Sequence, residues 1–275
     1  MSQGGVRLQW RSLQLPELCE YANLIHGFST RRGGISRPPF CSLNLSLDVE
    51  DDSASVSKNR RLFLSDLGIG DKPLVKAKQV HQDNVLLIDK EGAARPDFPE
   101  DLRSYPADAL MTGIPGIVLS VSIADCVPIL LFDERRKVIA AVHAGWRSTA
   151  AGLPAKVVGE MKEIFGTRPE DVAAGIGPSI GPCCYEVDEP VLSAFAKLSP
   201  YWEEWVREEG EGRWRLDLVR ANQTLLLGAG IPRERIFSSG ICVSCQEELF
   251  FSHRRDGKRT GRMMGIIMMR GEGRK

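Results

Sequence analysis

Hydrophobic positions along the chain fall into two rhythms. Four stretches carry helix signals. Ser53–Leu67 follows a run of acids, places apolar residues at Val56, Leu62, Phe63 and Leu67, and closes at Gly68. Thr149–Phe165 carries Pro154 in its early part and Gly166 after its end. Asp188–Leu198 begins with a capping aspartate and has Pro190 in its first turn. Asp217–Leu227 runs into Gly228 and Gly230. Between these lie short apolar or β-branched runs that read as strands: Asn84–Ile88, Ala109–Thr112, Ile117–Ile123, Pro128–Phe132, Val138–His143, Val172–Gly177, Ile236–Cys242 and Met263–Met269. Several are apolar throughout, the pattern of strands covered on both faces. Strands outnumber helices, and the middle of the chain has consecutive strands with no helix between them. That order predicts an α+β fold, mixed β-sheets layered with helices, and not a doubly wound parallel sheet. No linker or internal repeat interrupts it, so residues 1–275 read as a single compact domain with its core at about 24–270. The charged stretch Tyr201–Arg215, with Trp202, Trp205 and Trp214, reads as a solvent-facing excursion.

Composition narrows the field mainly by exclusion. The chain has 275 residues, 43% hydrophobic and 26% charged, enough to bury a core without staples. Lys plus Arg and Asp plus Glu number 36 each, which argues against a protein devoted to nucleic acid or to an anionic membrane surface. The charge is unevenly placed: Arg254–Lys275 holds eight Lys and Arg against two acids, a segment that reads first as a basic solvated tail and second as an attractor of phosphate or an anionic substrate. The longest apolar stretch, Gly116–Phe132, is broken by Asp125 and Pro128 and is too short for a bilayer. Seven cysteines, an odd number, follow an N-terminus without a secretory signal, so they are expected as reduced thiols in a cytoplasmic protein.

Histidine is scarce: His26, His81, His143 and His253 are the whole complement of four. A multi-copper centre of the blue-oxidase type needs roughly ten imidazoles, and this chain cannot supply them. A single site with two or three histidines remains open. If Pro128–Phe132 and Val138–His143 pair through the turn at Asp133–Lys137, Cys126 and His143 meet at the same end of the pair. His81, in KQVHQDNV, supplies a third donor. Two His and one Cys leave a fourth position free, the catalytic form of a zinc site. The same trio also suits a Cys126 nucleophile with a histidine base. On spacing alone, a cysteine in an apolar strand is more often a small buried hydrophobe. Cys242-x-x-Cys245 has zinc-ribbon spacing but a poor partner in the adjacent Cys183–Cys184. His253 in FFSHRRDG reads as exposed or ion-paired, and His26 as packed at the start of a strand.

The segments FSTRRGGIS, SLNLS, KQVHQDNV, ADAL, ADCVPILLFD, VHAGWRSTAAG, GPSIGPCCYEV and FFSHRRDG appear in this order. Together they resemble the laccase-domain family, known also as multicopper polyphenol oxidoreductase, bacterial purine nucleoside phosphorylase and peptidoglycan editing factor. The likeness runs from about Gly27 to Met269. It implies an α+β fold and one Zn²⁺ per chain held by His81, Cys126 and His143, with copper as the alternative ion. Ser148 departs from the glycine usual after HAGWR and is expected to alter the pocket's shape. The implied activity is phosphorolysis of adenosine, inosine and methylthioadenosine to base and ribose 1-phosphate, with deamination of adenosine to inosine. The implied partners are a small-molecule nucleoside and phosphate. Alternatives from other classes are a copper-dependent phenol oxidase and a cysteine or zinc hydrolase correcting peptidoglycan precursors. The usual zinc-deaminase signature is absent, so deamination needs a different proton carrier, with Asp125 as one candidate. Arg31 and Arg147 are candidates for a phosphate clamp, and Asn44 and Gln79 for hydrogen bonds to sugar or base. The oligomeric state stays open.

Overall fold

The architecture is known from a computed structural model, which describes residues 5–94, 98–210 and 212–271. Two six-stranded sheets dominate. The first runs in the order Arg7–Leu8, Ser12–Gln14, Leu24–Ser29, Met263–Met269, Val118–Ile123, Leu74–Val75. The second runs Ile236–Ser238, Val172–Ile176, Val127–Asp133, Val138–Ala144, Ala109–Thr112, Val85–Ile88. Each mixes parallel and antiparallel neighbours; Leu74–Val75 is parallel to Val118–Ile123, and Val85–Ile88 to Ala109–Thr112. The α+β expectation of mixed sheets layered with helices holds.

Period-two alternation explains how the layers stack. In Val127–Asp133, Leu130 and Phe132 join Phe28, Leu119, Val121 and Ile267 of the first sheet in one core. Their neighbours Ile129 and Leu131 point the other way, into a core shared with Val157 and Met161 of the helix Leu153–Phe165, Phe195 of Glu189–Leu198, and Leu226 of Leu218–Gly228. On the far side of the first sheet, Ile25, Val118 and Ile266 pack on Phe63 and Leu64 of the helix Ser53–Asp66. The order is therefore helix, sheet, sheet, helix. Strands covered on both faces are apolar at most positions, and a polar exception finds a partner: Ser120 Oγ donates to the Val75 carbonyl at 2.7 Å. Full burial of each large side chain contributes about 1.5–3 kcal/mol.

Two aspartates cap helices as their side chains predict: Asp52 accepts from the Ser55 N–H at 2.8 Å and Asp217 from the Arg220 N–H at 2.9 Å. Asp188 occupies the N-cap position of the third, yet its side chain makes no capping bond. The expected helix Thr149–Phe165 is two helices, Trp146–Ala150 and Leu153–Phe165. Gly152 sits between them at φ +76°, and Pro154, with no N–H to give, belongs in a first turn. The expected strand Ile236–Cys242 stops at Ser238, and Gly240 at φ +64° turns the chain away. Tyr201–Arg215 is more than an excursion. Trp205 is buried and meets Phe195 edge-on at 5.9 Å, and Val206–Gly210 pairs with Arg213–Leu216 in a small third sheet completed by Glu186–Val187. The strand expected to start at His26 begins earlier and spans Leu24–Ser29, its apolar run interrupted by His26 and Gly27; its partners are Ser12–Gln14 and Met263–Met269. Residues 1–4, and 272–275 of the basic C-terminal segment, lie outside the described residues. Among the described residues no helix is long and apolar enough to cross a membrane.

Candidate metal centre and its pocket

The site forms where the chain passes from one sheet to the other. Val118–Ile123 ends in the first sheet, Ala124–Cys126 crosses over, and Val127–Asp133 begins in the second. The following hairpin closes as the sequence predicts: Asp133 pairs with Val138, and its carboxylate accepts the Arg135 and Arg136 N–H groups at 2.9 and 3.0 Å. That register sets Val127 opposite Ala144 and Pro128 opposite His143, so Cys126 and His143 share one end of the pair. His81 arrives from a loop between Leu74–Val75 and Val85–Ile88. The ligand atoms of His81, Cys126 and His143 all lie within 4.8 Å of one another, and the two imidazoles meet edge-on at 4.8 Å between ring centres.

One residue that the sequence reading missed holds this arrangement. Asp108 is buried at the start of Ala109–Thr112. Its Oδ1 meets His143 Nδ1 at 2.8 Å and accepts the His81 N–H at 3.0 Å; its Oδ2 accepts the Val80 and Gln82 N–H groups at 3.1 and 2.9 Å. One carboxylate thus fixes one histidine by its ring and the other by its backbone, the usual role of an outer carboxylate at a metal site. Pairing at Nδ1 leaves Nε2 of His143 for a ligand. The signal was present in ADAL, an acid at the mouth of an apolar strand that must find donors once buried. Gly145 is a second missed residue. A Cβ built there would lie 3.1 Å from Cys126 Sγ and 3.2 Å from His81 Cδ2. Backbone strain is concentrated here as well: His81 at φ +58° and Asp125 at φ +92° adopt the left-handed region that L-residues avoid.

Burial pushes the Cys126 thiol up, but the charge of His143 and hydrogen bonds from both imidazoles outweigh it and bring it down to about 6. Burial pushes His143 down, and the charge of Cys126 with the Asp108 hydrogen bond reverses this, raising it to about 9. The protein alone therefore favours a thiolate beside an imidazolium. To ligate, His143 must give up its proton, while the lowering of the Cys126 thiol favours the thiolate a metal takes. Two imidazoles, one thiolate and a carboxylate behind them fit Zn²⁺ with one position open.

The trio lines a cavity of about 540 Å³, within the range of small-ligand sites. Trp146, Arg147, Tyr185, His253, Arg254 and Arg262 form much of its wall. Arg147 stacks on Trp146, 4.2 Å from the ring centre, and Arg254 lies 5.3 Å over Tyr185. Asp125 also lines the cavity, with burial pushing its carboxyl up against the hydrogen bonds it accepts from Ser252 Oγ and the Arg254 N–H, each at 2.6 Å. Gln79 lines it too, but both ends of its amide are spent on the Ser122 backbone, at 2.9 and 2.7 Å. Asn44 and Arg31 do not line it. Asn44 is fully buried and ties Arg262 N, Ser46 and Asp51 together, so it acts on the wall from behind. Arg31 stands in a separate surface hollow with Arg32, Glu247 and Glu248, bonded to the Cys41 and Glu247 carbonyls. Ser148 is buried in Trp146–Ala150 and is not among the cavity's lining residues.

His253 is exposed as expected, yet it lies on the cavity wall at the start of the short helix His253–Asp256. Arg254 and Arg262 were missed as site residues because the basic segment reads as solvated. His26 is the packed residue expected of it: buried in its strand, with Nε2 accepting the Leu15 N–H at 2.9 Å.

Comparison with known proteins places these features. Residues 25–270 match the family described as multi-copper polyphenol oxidoreductase laccase. The chain is 39% identical over 260 residues to the purine nucleoside phosphorylase YlmD of Geobacillus stearothermophilus, covering 92% of each chain. It is 36% identical over 251 residues to the adenosine deaminase RL5 of an unknown prokaryotic organism, covering 90% of this chain and 95% of the relative. Among solved structures, the hypothetical protein YfiH of Bacillus licheniformis superposes with a TM-score of 0.90 at 37% identity, over 96% of this chain and 99% of the other.

Proposed function

The chain belongs to the multi-copper polyphenol oxidoreductase laccase family, and from that premise we propose that it is a zinc-dependent purine nucleoside phosphorylase that also deaminates adenosine. The carrying observation is the convergence of His81, Cys126 and His143 in the lining of a cavity of about 540 Å³ whose wall also holds Arg147, Arg254 and Arg262. The relatives named for phosphorolysis and for deamination support the two reactions. The substrates are adenosine, inosine and methylthioadenosine. His81, Cys126 and His143 would hold one Zn²⁺, which would supply a Lewis acid to the bound substrate. Zinc suits this set better than a copper cluster, because four histidines in the whole chain leave no imidazoles for further coppers.

In phosphorolysis a phosphate oxygen forms a bond to C1′ of the ribose, and the C1′–N9 bond breaks with its electron pair going to the base. The arginines act on the charges of that exchange. Arg147 and Arg254 present guanidinium forks suited to phosphate, and their stacking on Trp146 and Tyr185 holds each fork in place. The aromatic faces and Ile180 provide the apolar wall a purine needs. In deamination water adds at C6 of adenine and ammonia leaves, which needs a group that takes and returns a proton. Asp125 fills that role: it lines the cavity beside Cys126, and burial shifts its carboxyl towards the protonated form. Gln79 and Asn44 then act by shaping the wall.

The test is incubation of purified protein with adenosine, with and without phosphate, and chromatography of the products. Adenine with ribose 1-phosphate in the presence of phosphate, and inosine in both samples, is expected. Absence of all three from zinc-loaded protein, or turnover of a phenol that requires copper, would overturn the reading.

A further inference from the structure

A second set of metal-ligating side chains lies outside the first centre. The loop after Val172–Ile176 carries Cys183 and Cys184, and the loop after Ile236–Ser238 carries Cys242 and Cys245. By spacing alone the vicinal pair is a poor partner for C-x-x-C; the fold brings the two pairs together. Cys184 N and Tyr185 N both return to the Gly181 carbonyl at 3.0 Å, a tight turn that brings both thiols to one side. Ser179 and Cys242 bridge as parallel strands, with Ser179 N bonded to Ile241 O and Val243 N to Ser179 O. The two loops are thereby fixed against each other, and all four Sγ atoms lie within 4.8 Å of one another.

We propose that Cys183, Cys184, Cys242 and Cys245 form a structural tetrathiolate site for one Zn²⁺, separate from the first centre. Three observations carry this. Cys183 Sγ and Cys184 Sγ lie 3.5 and 3.4 Å from Cys245 Sγ, close to the ~3.8 Å edge of a tetrahedron with Zn–S bonds of about 2.3 Å. The Gly181 N–H points at Cys242 Sγ, 3.2 Å away, a donor aimed at sulfur as around a thiolate ligand. Gly181 leaves the space the set requires: a Cβ there would lie 3.3 Å from Cys183 Sγ and 3.2 Å from Cys242 Cβ. Four sulfur donors select zinc among the common divalent ions, and Cys183 and Cys245 are exposed, so an ion can enter. Arg215 Nη1 on the Cys183 carbonyl, at 3.3 Å, puts a cation beside the excess negative charge of such a site.

The site's place in the fold gives it a use. Tyr185 follows the first cysteine pair directly, and its ring lines the cavity. The second pair leads to Arg254, whose Nη1 reaches back to the Glu186 carbonyl at 2.8 Å. An ion across the four thiols clamps the two loops that carry this wall. The inference does not depend on the reaction assigned to the first centre.

The test is metal analysis of the full chain, purified with reductant, together with two variants. Wild type is expected to hold two zinc ions per chain, Cys126→Ala one, and Cys242→Ser with Cys245→Ser one. Cobalt-substituted Cys126→Ala is expected to show the intense near-ultraviolet thiolate-to-cobalt absorption of a tetrathiolate. The cysteine double variant is expected to keep the first centre's ion. One zinc in wild type with none in Cys126→Ala overturns the proposal. So does protein, purified without reductant, in which non-reducing peptide mapping finds Cys245 joined to Cys183 or Cys184 as a disulfide. Should the double variant fail to fold, the wild-type count and the Cys126→Ala cobalt spectrum still decide.

Discussion

Asp108→Asn probes the one side chain that holds both histidines. The change keeps the size of the group, removes its charge and turns one acceptor into an NH₂ donor. The carboxylate accepts from two groups at each oxygen: His143 Nδ1 and the His81 N–H at Oδ1, the Val80 and Gln82 N–H groups at Oδ2. Whichever way the amide turns, its NH₂ faces two partners that the oxygen served. Losing two hydrogen bonds to a charged acceptor costs about 3–6 kcal/mol at 1.5–3 each. If the NH₂ faces His143, the ring must turn Nδ1 into an acceptor, which moves its proton to Nε2 and blocks ligation there. Outer carboxylates of this kind typically supply 10–100-fold in metal affinity. Competition with a chelator of known affinity should therefore show zinc at the first centre weakened by about 10–100-fold, with a lower melting temperature. Wild-type zinc affinity in a folded Asp108→Asn protein would refute the reasoning, because the histidines would then be positioned by something else.

Four further outcomes follow. His81→Ala, Cys126→Ala and His143→Ala should each lose the first centre's ion and turnover, while His253→Ala, on the cavity wall but outside the ligand set, keeps the ion; equal metal loss in His253→Ala would show the ligands to be misassigned. Gly145→Ala should lower metal content without unfolding the chain, since its Cβ would press on Cys126 Sγ at 3.1 Å and Gly145 has an ordinary φ of −72°; normal zinc content would contradict this. Arg254→Gln should raise the KM for phosphate about tenfold, the equivalent of about 1.4 kcal/mol, and affect deamination less; equal losses in both reactions would remove Arg254 from the phosphate site. His26, lowered by burial to about 4, gives stability that is complete above its ordinary 6.5 and declines as the pH falls from there towards 4. The span is about 3 kcal/mol, read as the difference between urea unfolding curves of wild type and His26→Gln across that range; parallel pH dependence in the two proteins would count against it.

What the sequence made legible follows from distance along the chain. The hairpin Val127–Asp133 with Val138–Ala144 is local, and its turn residues and apolar runs fix the register that brings Cys126 to His143. The pairing of Leu24–Ser29 with Met263–Met269 joins opposite ends of the chain, and no local pattern encodes it. The same holds for the site. Its candidate ligands sit in motifs that a family likeness singles out, whereas Asp108 acts through the His143 ring and the backbone groups of residues 80–82, and an acid at a strand mouth looks like any exposed carboxylate until the fold buries it. Arg262 reads as part of a basic tail, yet Asn44 accepts its backbone N–H at 2.9 Å and fastens it to the cavity wall. The four cysteines were misjudged for a related reason: the spacing of Cys183 and Cys184 says nothing of the turn at Gly181, and only the parallel bridge between Ser179 and Cys242 sets the two pairs side by side.

The most direct measurement of the central claim is inosine turnover by wild type and Cys126→Ala, each assayed with and without phosphate and with its metal content determined on the same preparation. The account predicts hypoxanthine and ribose 1-phosphate in equal amounts from wild type alone, only when phosphate is present, with one zinc ion fewer in the variant. Hypoxanthine formed equally by a folded Cys126→Ala protein, or formed without phosphate, would contradict it.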